Sequence, residues 1–359
     1  MSFLARRAAA CMALSCRNWL YASRERLYRL TSWNSTDELG TGELLDRTLN
    51  GSAEIRDLIR FLCIYSHSSF RVVRRSRPLP HWLTLLPASN VQHVKLQLSS
   101  TQWTSYVLSL PFISRIHTLS LKFKYEMEGN EVERFVNLPN LRRLWVTFEF
   151  IPRYGPLDLH LHPPLSHIGH LEVSSGALGY RDICLLQSFG ADANVVRLSL
   201  EYYVLDIDQL FNFALILKSE FRALRHFSIK VFQALPYPII DDILPCLPQL
   251  AFLSCGGNLY REGVLPNNLS EFHLYTDEYE IPGNVLRQLE SSQEHGSPSS
   301  PGLSLRKFGV SGLAVVEEER VWELRDRCTE LGVEFIHNRS GPDPISSWDD
   351  LENDWFPEC

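Results

Sequence analysis

No uninterrupted apolar run in the chain approaches the ~18 residues that a helix needs to cross a membrane, so a soluble protein with no membrane partner is expected. A phosphate loop of the GxxxxGK type is missing, and so is the GxSxG turn that presents a nucleophilic serine. The "GTG" at 40–42 lacks the third glycine and the strand-loop-helix setting that would make it a dinucleotide site. Eight cysteines occur, none in a CxxC or other close metal-binding spacing, which fits reduced thiols in an intracellular protein, cytoplasmic or nuclear. Residues 340–359 contain six acids and neither Lys nor Arg.

With 359 residues, 45% of them hydrophobic and 21% charged, the chain has the composition of one that buries a core and folds. The net charge of −7 conceals a basic start, with Arg6, Arg7, Arg17, Arg24, Arg26 and Arg29 set against Glu25. These arginines alternate with Leu14, Trp19, Leu20, Leu27 and Leu30 at helical spacing, as on a solvated helix face. A basic face without a nucleic-acid reading module leads us to expect no nucleic-acid partner. Arg6-Arg7 followed by "AAACMALSC" has the outline of a secretory leader, but Arg17 and Trp19 follow at once. The sequons at Asn34, Asn50, Asn268 and Asn338 matter only if the chain is secreted.

One pattern organises the sequence, apolar-x-x-apolar-x-apolar. It occurs as Val91/Val94/Leu96, Ile116/Leu119/Leu121, Leu141/Leu144/Val146, Ile168/Leu171/Val173 and Val195/Leu198/Leu200. It continues as Leu224/Phe227/Ile229, Leu250/Leu253/Cys255, Leu269/Phe272/Leu274 and Leu305/Phe308/Val310. Successive gaps are 25, 25, 27, 27, 29, 26, 19 and 36 residues, and the polar "SSQEHGSPSSPG" at 291–302 reads as a surface-loop insertion in the longest. Between the motifs lie segments of helical spacing: "QWTSYVLSL", "DICLLQSF", "IIDDILPCL", "VEEERVWELRDRC" and, most clearly, "DIDQLFNFALILK". In the last of these, Ile207, Leu210, Phe211, Ala214 and Leu217 share a face and Asp206 is placed to cap the start.

A strand followed by a helix cannot bury its apolar side alone, and stacked copies build one continuous core. The pattern resembles the longer, strand-and-helix type of leucine-rich repeat, similar to ribonuclease inhibitor and to the repeat domains of F-box proteins. The resemblance covers residues 91–338, about nine repeats, with "LGVEFIH" as a closing strand. It implies an α/β fold, a degenerate ribonuclease-inhibitor-like solenoid. Nine positions after the first leucine that family often places Asn or Cys, whereas this chain has Ser100, Tyr125, Phe150, Ala177 and Val204.

Candidate chemistry is sparse. His160, His162, His167 and His170 fall within eleven residues, but no HExxH helix, cysteine pair or acidic ligand accompanies them, so no metal is expected. Asp241-Asp242 and Asp349-Asp350 fit a polar helix side and an acidic tail better than an acid-base pair. No catalytic residue and no cofactor is expected. A recognition surface is: alternation along each strand sends the polar positions of the motifs to the concave side of such a repeat. These are Lys95 and Gln97, Ser120 and Lys122, Trp145 and Thr147, Glu172 and Ser174, Ser199 and Glu201, Ser228 and Lys230, and His273 and Tyr275. Lys122, Trp145, Glu201, Lys230, His273 and Tyr275 are the partner-binding candidates, a charged and aromatic mixture suited to protein recognition.

The N-terminal stretch "CMALSCRNWLYASRERLYRL", residues 11–30, resembles the end of the F-box of fungal F-box proteins, where a pattern like "CALVCRxWLPxSRxxLF" precedes leucine-rich repeats. Cys11, Ala13, Leu14, Cys16, Arg17, Trp19, Leu20, Ser23, Arg24, Leu27 and Tyr28 match in order. The pattern of the front half, "LPxEhhxxIhxxL" with h apolar, has no counterpart after Met1, so the match is to an N-terminally truncated F-box. The resemblance implies a substrate-recognition subunit of an SCF-type ubiquitin ligase, holding a Skp1-like adaptor and cullin complex through Leu14, Cys16, Trp19 and Leu20. It also implies a target protein on the repeats and catalysis by tethering alone. The alternative is a stand-alone repeat scaffold that does not bind Skp1. The expected organisation is therefore partial F-box helices at 1–30, a helical linker and first cap or repeat at 31–90, the repeats at 91–338 and an acidic tail at 339–359. Within the linker, "IRDLIRFLCIYSHSSFRVV" at 55–73 resembles the first helix after the F-box.

Overall fold

Every instance of the repeated pattern becomes a β-strand. In the computed structural model, which describes residues 17–34, 41–65, 79–98, 106–123, 138–148, 167–178, 186–187, 194–205, 207–232, 237–275, 285, 287–288, 290, 304–311 and 318–338, the strands follow one another in chain order. The chain divides into two compact units, residues 1–168 and 169–359, so the division falls inside the repeat stretch and not at its ends.

The first unit holds β1 Leu30–Asn34, β2 Phe61–Tyr65, β3 His93–Leu98, β4 Thr118–Phe123 and β5 Arg143–Phe148, each parallel to the next. Its helices are α1 Arg17–Arg29, α2 Thr41–Gly51 and the single turn α3 Ala53–Arg56, which Ser52 caps by accepting from the Ile55 N–H at 3.3 Å. A 3₁₀ turn at His81–Leu85 buries Trp82, whose indole N–H donates to Asp46 of α2 at 2.8 Å. The second unit holds β6 His170–Leu178, β7 Arg197–Leu205, β8 His226–Val231, β9 Phe252–Gly256, β10 Glu271–Tyr275, β11 Lys307–Ser311 and β12 Glu334–Asn338, again parallel in sequence. Its helices are α4 Ile207–Glu220, α5 Ile239–Ile243 and α6 Glu318–Glu330.

All three apolar positions of the nine motifs are buried. Burial of each such side chain is worth about 1.5–3 kcal/mol, which is why the pattern fixes the strand face. The helices are less regular. Among the described side chains of α4, Phe213, Ile216 and Leu217 are buried, Ala214 is half-buried and Leu215 is exposed, so Leu217 is covered as expected and Phe213 and Ile216 are covered as well. Asp206 lies outside the described residues, as do the side chains of 207–211. Leu324 and Cys328 of α6 are buried as their spacing predicts, and burial raises the Cys328 thiol pKa to about 11.

Two strands arise where the sequence suggested a helical linker. The helix expected over 55–73 ends after Arg56, and Phe61–Tyr65 is instead β2, with Ile59, Leu62 and Ile64 buried in the pattern of the later motifs. In β1 the corresponding buried residues include Thr31 and Trp33. A threonine is accommodated there because its hydroxyl donates to the Tyr28 carbonyl at 2.9 Å.

The side-chain ladder missing from the sequence is replaced by main chain. Just before eight of the strands a carbonyl accepts two N–H groups from the next repeat. Gln92 and His93 donate to Arg60 O, His117 and Thr118 to Gln92 O, and Arg142 and Arg143 to His117 O. In the second unit the same fork recurs at Gly169, Val196, Arg225, Ala251 and Ser270, with distances of 2.8 to 3.1 Å. Ala177 and Val204, at the places where the repeat family has Asn or Cys, are paired residues of β6 and β7. Having no side chain that would bond a turn, those two strands run on for nine residues.

Candidate protein-binding face

Alternation along each strand leaves its first, third and fifth residues on the open face of the sheet, opposite the core positions. Parallel register then aligns these residues into columns across the strands.

In the first unit Lys95, Gln97, Ser120, Lys122 and Thr147 are half-buried on this face. Trp145 departs from expectation: it stands opposite the small Ser120 and is only 6% exposed. Its substitution would therefore disturb packing as well as any contact with a partner. His93, one residue before the middle apolar position, is also buried and stacks on Phe61 at 4.4 Å with the rings 9° apart. Burial, followed by the charges of His117, Arg143 and Arg29, pushes its pKa down to about 4.

In the second unit Glu201, Lys230 and Tyr275 are half-buried, and Glu201 stands directly opposite Lys230. The Lys230 ammonium lies 4.6 Å from the Phe232 ring centroid and 5.5 Å from that of Tyr275, two strands away. Between them β9 presents Gly256, opposite Tyr275, which has no side chain to obstruct the contact. His273 is largely covered, lying 5.3 Å from Phe252, and its Nε2 is 3.9 Å from Glu271, which also pairs with Lys307 at 3.7 Å. Burial lowers the His273 pKa, with Glu271 opposing and Lys307 assisting.

Gly309 makes this arrangement possible. It stands opposite His273, and a Cβ at 309 would collide with the imidazole. Gly309→Ala is expected to destabilise the chain by about 1–3 kcal/mol through overpacking, and His273→Ala in the same chain should restore most of the loss. Urea denaturation of the two single variants and the double variant checks this; strictly additive effects would show that the two positions do not meet.

A small, mostly apolar recess opens on the same face of the second unit, lined by His170, Arg197, Ser199, His226, Ser228 and Phe252, with core atoms of Leu198 and Phe227 beneath. His226 and Phe252 stack at 5.9 Å. Sequence reasoning singled out neither Arg197 nor His226 nor Phe252. The available signal was the alternation itself, which reaches two residues further back along each strand than the positions that were chosen.

No protein-family model and no curated protein matches this chain.

The remaining candidates are dispersed. Leu14 and Cys16 lie outside the described residues, and Trp19 and Leu20 belong to α1 with side chains that are not described. His160 and His162 also lie outside; His167 is exposed and His170 belongs to β6. Among the described residues no group of three or more His, Cys, Asp or Glu could hold a metal ion. Asp241 binds the Arg261 and Glu262 N–H groups at 3.1 and 2.8 Å, and Asp242 accepts from the Tyr237 hydroxyl. Both acids therefore have structural partners. Asp349-Asp350, the 291–302 insertion and the acidic tail lie outside the described residues. No described helix is long and apolar enough to cross a membrane.

Proposed function

We propose that this chain is a protein-interaction subunit that captures a target on the open face of its sheet, and specifically that it is a substrate-recognition subunit of an SCF-type ubiquitin ligase. The observation that carries the reading is the combination of stacked parallel strand repeats, with charged and aromatic side chains at fixed register on the open face, and the helix Arg17–Arg29 immediately before them. Mixed charge with aromatics is the composition of protein-recognition surfaces. The leucine-rich-repeat character rests on the motif spacing, and the F-box character on the ordered match over residues 11–30. In this reading the chain supplies no catalytic residue and binds no cofactor. It raises the local concentration of its target beside a ubiquitin-charged enzyme held by a Skp1-like adaptor and cullin.

Calorimetric titration of a Skp1-like adaptor into the chain, and into a form extended by any in-frame codons upstream of Met1, tests the ligase reading. Binding in either form is expected. Absence of heat in both, with the chain folded by circular dichroism, would leave a scaffold that captures protein without ubiquitin chemistry.

A further inference from the structure

Along the rim where its strands begin, the first unit gathers basic side chains. The residues just before β1 to β5 are Arg29, Arg60, Gln92, His117 and Arg142. Main-chain hydrogen bonds join them into one row: the Arg60 N–H donates to Arg29 O at 3.0 Å, Gln92 to Arg60 at 2.9 Å, His117 to Gln92 at 2.8 Å and Arg142 to His117 at 2.9 Å. Only Gln92 interrupts the basic series. Arg143 opens β5 beside Arg142, and Arg115, which ends the 3₁₀ turn Pro111–Arg115, adds a guanidinium two residues before His117. Arg115, His117, Arg142 and Arg143 are exposed. In the second unit the same positions hold Gly169, Val196, Ala251 and Ser270 beside Arg225 and Arg306, so the series belongs to the first unit.

The charge of this row is uncompensated. Among the described residues no ion pair holds Arg60, Arg115, His117, Arg142 or Arg143. Asp57 stands three residues before Arg60, but Arg60 donates to the Asp57 and Ile59 carbonyls at 2.6 and 3.2 Å, and the Asp57 carboxylate is approached instead by the Asn90 amide at 3.5 Å. His93, buried at the start of β3, senses the resulting field. After burial, the charges that lower its pKa are those of His117, Arg143 and Arg29, and among the described residues no carboxylate opposes them. At His226 and His273, by contrast, Glu271 does. Like charges aligned in this way repel one another in the free chain, and an anion lying along the row relieves that repulsion.

We propose that this rim is a docking strip for an extended acidic segment of a partner protein, whose Asp and Glu side chains meet Arg60, His117, Arg142 and Arg143. Neighbouring strands lie ~4.8 Å apart, so Arg60 and Arg142, three strands apart, are separated by about 14 Å along the rim. An extended chain advances ~3.3 Å per residue, so about five residues cover that distance. Guanidinium groups suit carboxylates because two parallel N–H donors face two oxygens. A nucleic acid fits less well: single strands bind on exposed aromatic platforms, and the rings nearest the row in the sheet, Phe61 and Trp145, are buried. The net charge of −7 also repels a long polyphosphate. The strip adds a contact at the strand starts and depends on neither the adaptor nor the open-face candidates.

The test uses the full chain and fluorescein-labelled hexaglutamate, read by fluorescence anisotropy at about pH 7. Binding is expected at about 50 mM salt, falling at least about tenfold at about 300 mM, because exposed pairs are screened. Hexaglutamine should bind at least about tenfold more weakly, and equal binding overturns the proposal. Arg142→Glu with Arg143→Glu should weaken hexaglutamate at least about tenfold. Arg222→Glu with Arg261→Glu, two exposed positions of the second unit, changes net charge equally and should stay within about twofold of wild type. Equal losses in the two double variants, each folded by circular dichroism, would assign the attraction to overall charge and overturn the strip. A labelled twelve-residue oligothymidylate is the competing probe: tighter binding than hexaglutamate, lost in Arg142→Glu with Arg143→Glu, would assign the rim to nucleic acid and overturn the peptide. A full-length chain with the six acids of residues 340–359 replaced by their amides tests the tail as occupant. Unchanged affinity supports a partner segment, whereas binding that appears only in that variant overturns it. Adaptor titration of Arg142→Glu with Arg143→Glu should match wild type, so failure of the strip and failure of the ligase reading are separately visible.

Discussion

Phe272→Ala will lower the unfolding free energy of the chain by about 3–5 kcal/mol, the range for losing a buried phenylalanine from a core that cannot collapse around the void. Phe272 is fully buried at a core position of β10. Its ring meets Tyr260 edge-on at 5.3 Å and Phe308 at 5.8 Å, and Phe308 in turn meets Phe335 at 6.1 Å. Aromatic rings from successive strands thus pack as a series, in which the central member supports contacts on both sides. Tyr260 is itself fixed by its hydroxyl, which donates to Gly263 O at 2.8 Å, so it cannot swing in to fill the space. Chemical denaturation followed by tryptophan fluorescence measures the change. Leu215→Ala, at a position 54% exposed, is the control and should cost well under about 1 kcal/mol. A loss at Phe272 no larger than that of the control would contradict the packing described.

Acid will destabilise the first unit through His93. In the unfolded chain this histidine titrates near the ordinary 6.5, whereas in the fold its pKa is about 4. Above about pH 6.5 neither state is protonated and the full stability is present. As pH falls the unfolded chain binds a proton that the folded chain resists, and stability drains away until the folded state also protonates near pH 4. The total loss is about 3 kcal/mol, from the size of the displacement and ~1.4 kcal/mol for each pKa unit. His93→Phe keeps a ring stacked on Phe61 and removes the proton, so the urea midpoint of the variant should depend less on pH across that window. Parallel acid profiles for variant and wild type would show that another group governs the loss.

How far these features were legible varies with the kind of information each requires. Strands β3 to β11 could be located because each needs three apolar residues at a spacing that a helix face does not reproduce. β2 could not, because "IRDLIRFLCIY" satisfies both periods: Ile55, Leu58, Ile59 and Leu62 recur as on a helix, and Ile59, Leu62 and Ile64 as in the strand motif. Pairing with β1 and β3 resolves the ambiguity, and pairing is not a local property of a five-residue segment. β1 was hidden by Thr31, whose hydroxyl bond back to Tyr28 makes a polar residue acceptable inside. On the open face, direction was readable from alternation, but depth was not. Trp145 is buried opposite the small Ser120, and Lys230 reaches Tyr275 across a strand that presents a glycine there. Such contacts depend on which residues three successive strands bring into line, and that alignment is set by loops of unequal length.

The forked carbonyls that join most repeats to the next have one further consequence. They stand on Arg, Gln, His, Gly, Val, Ala and Ser in turn, so the joint recognises no side chain. A joint of that kind is modular: a whole repeat can be removed, duplicated or exchanged for one from elsewhere in the chain, and the same pair of hydrogen bonds is available at both new junctions. What such an exchange must match is the volume of the neighbouring core layers, while the open-face residues are carried along as a cassette. The open face can therefore be rewritten one strand at a time, on a framework whose connections remain the same.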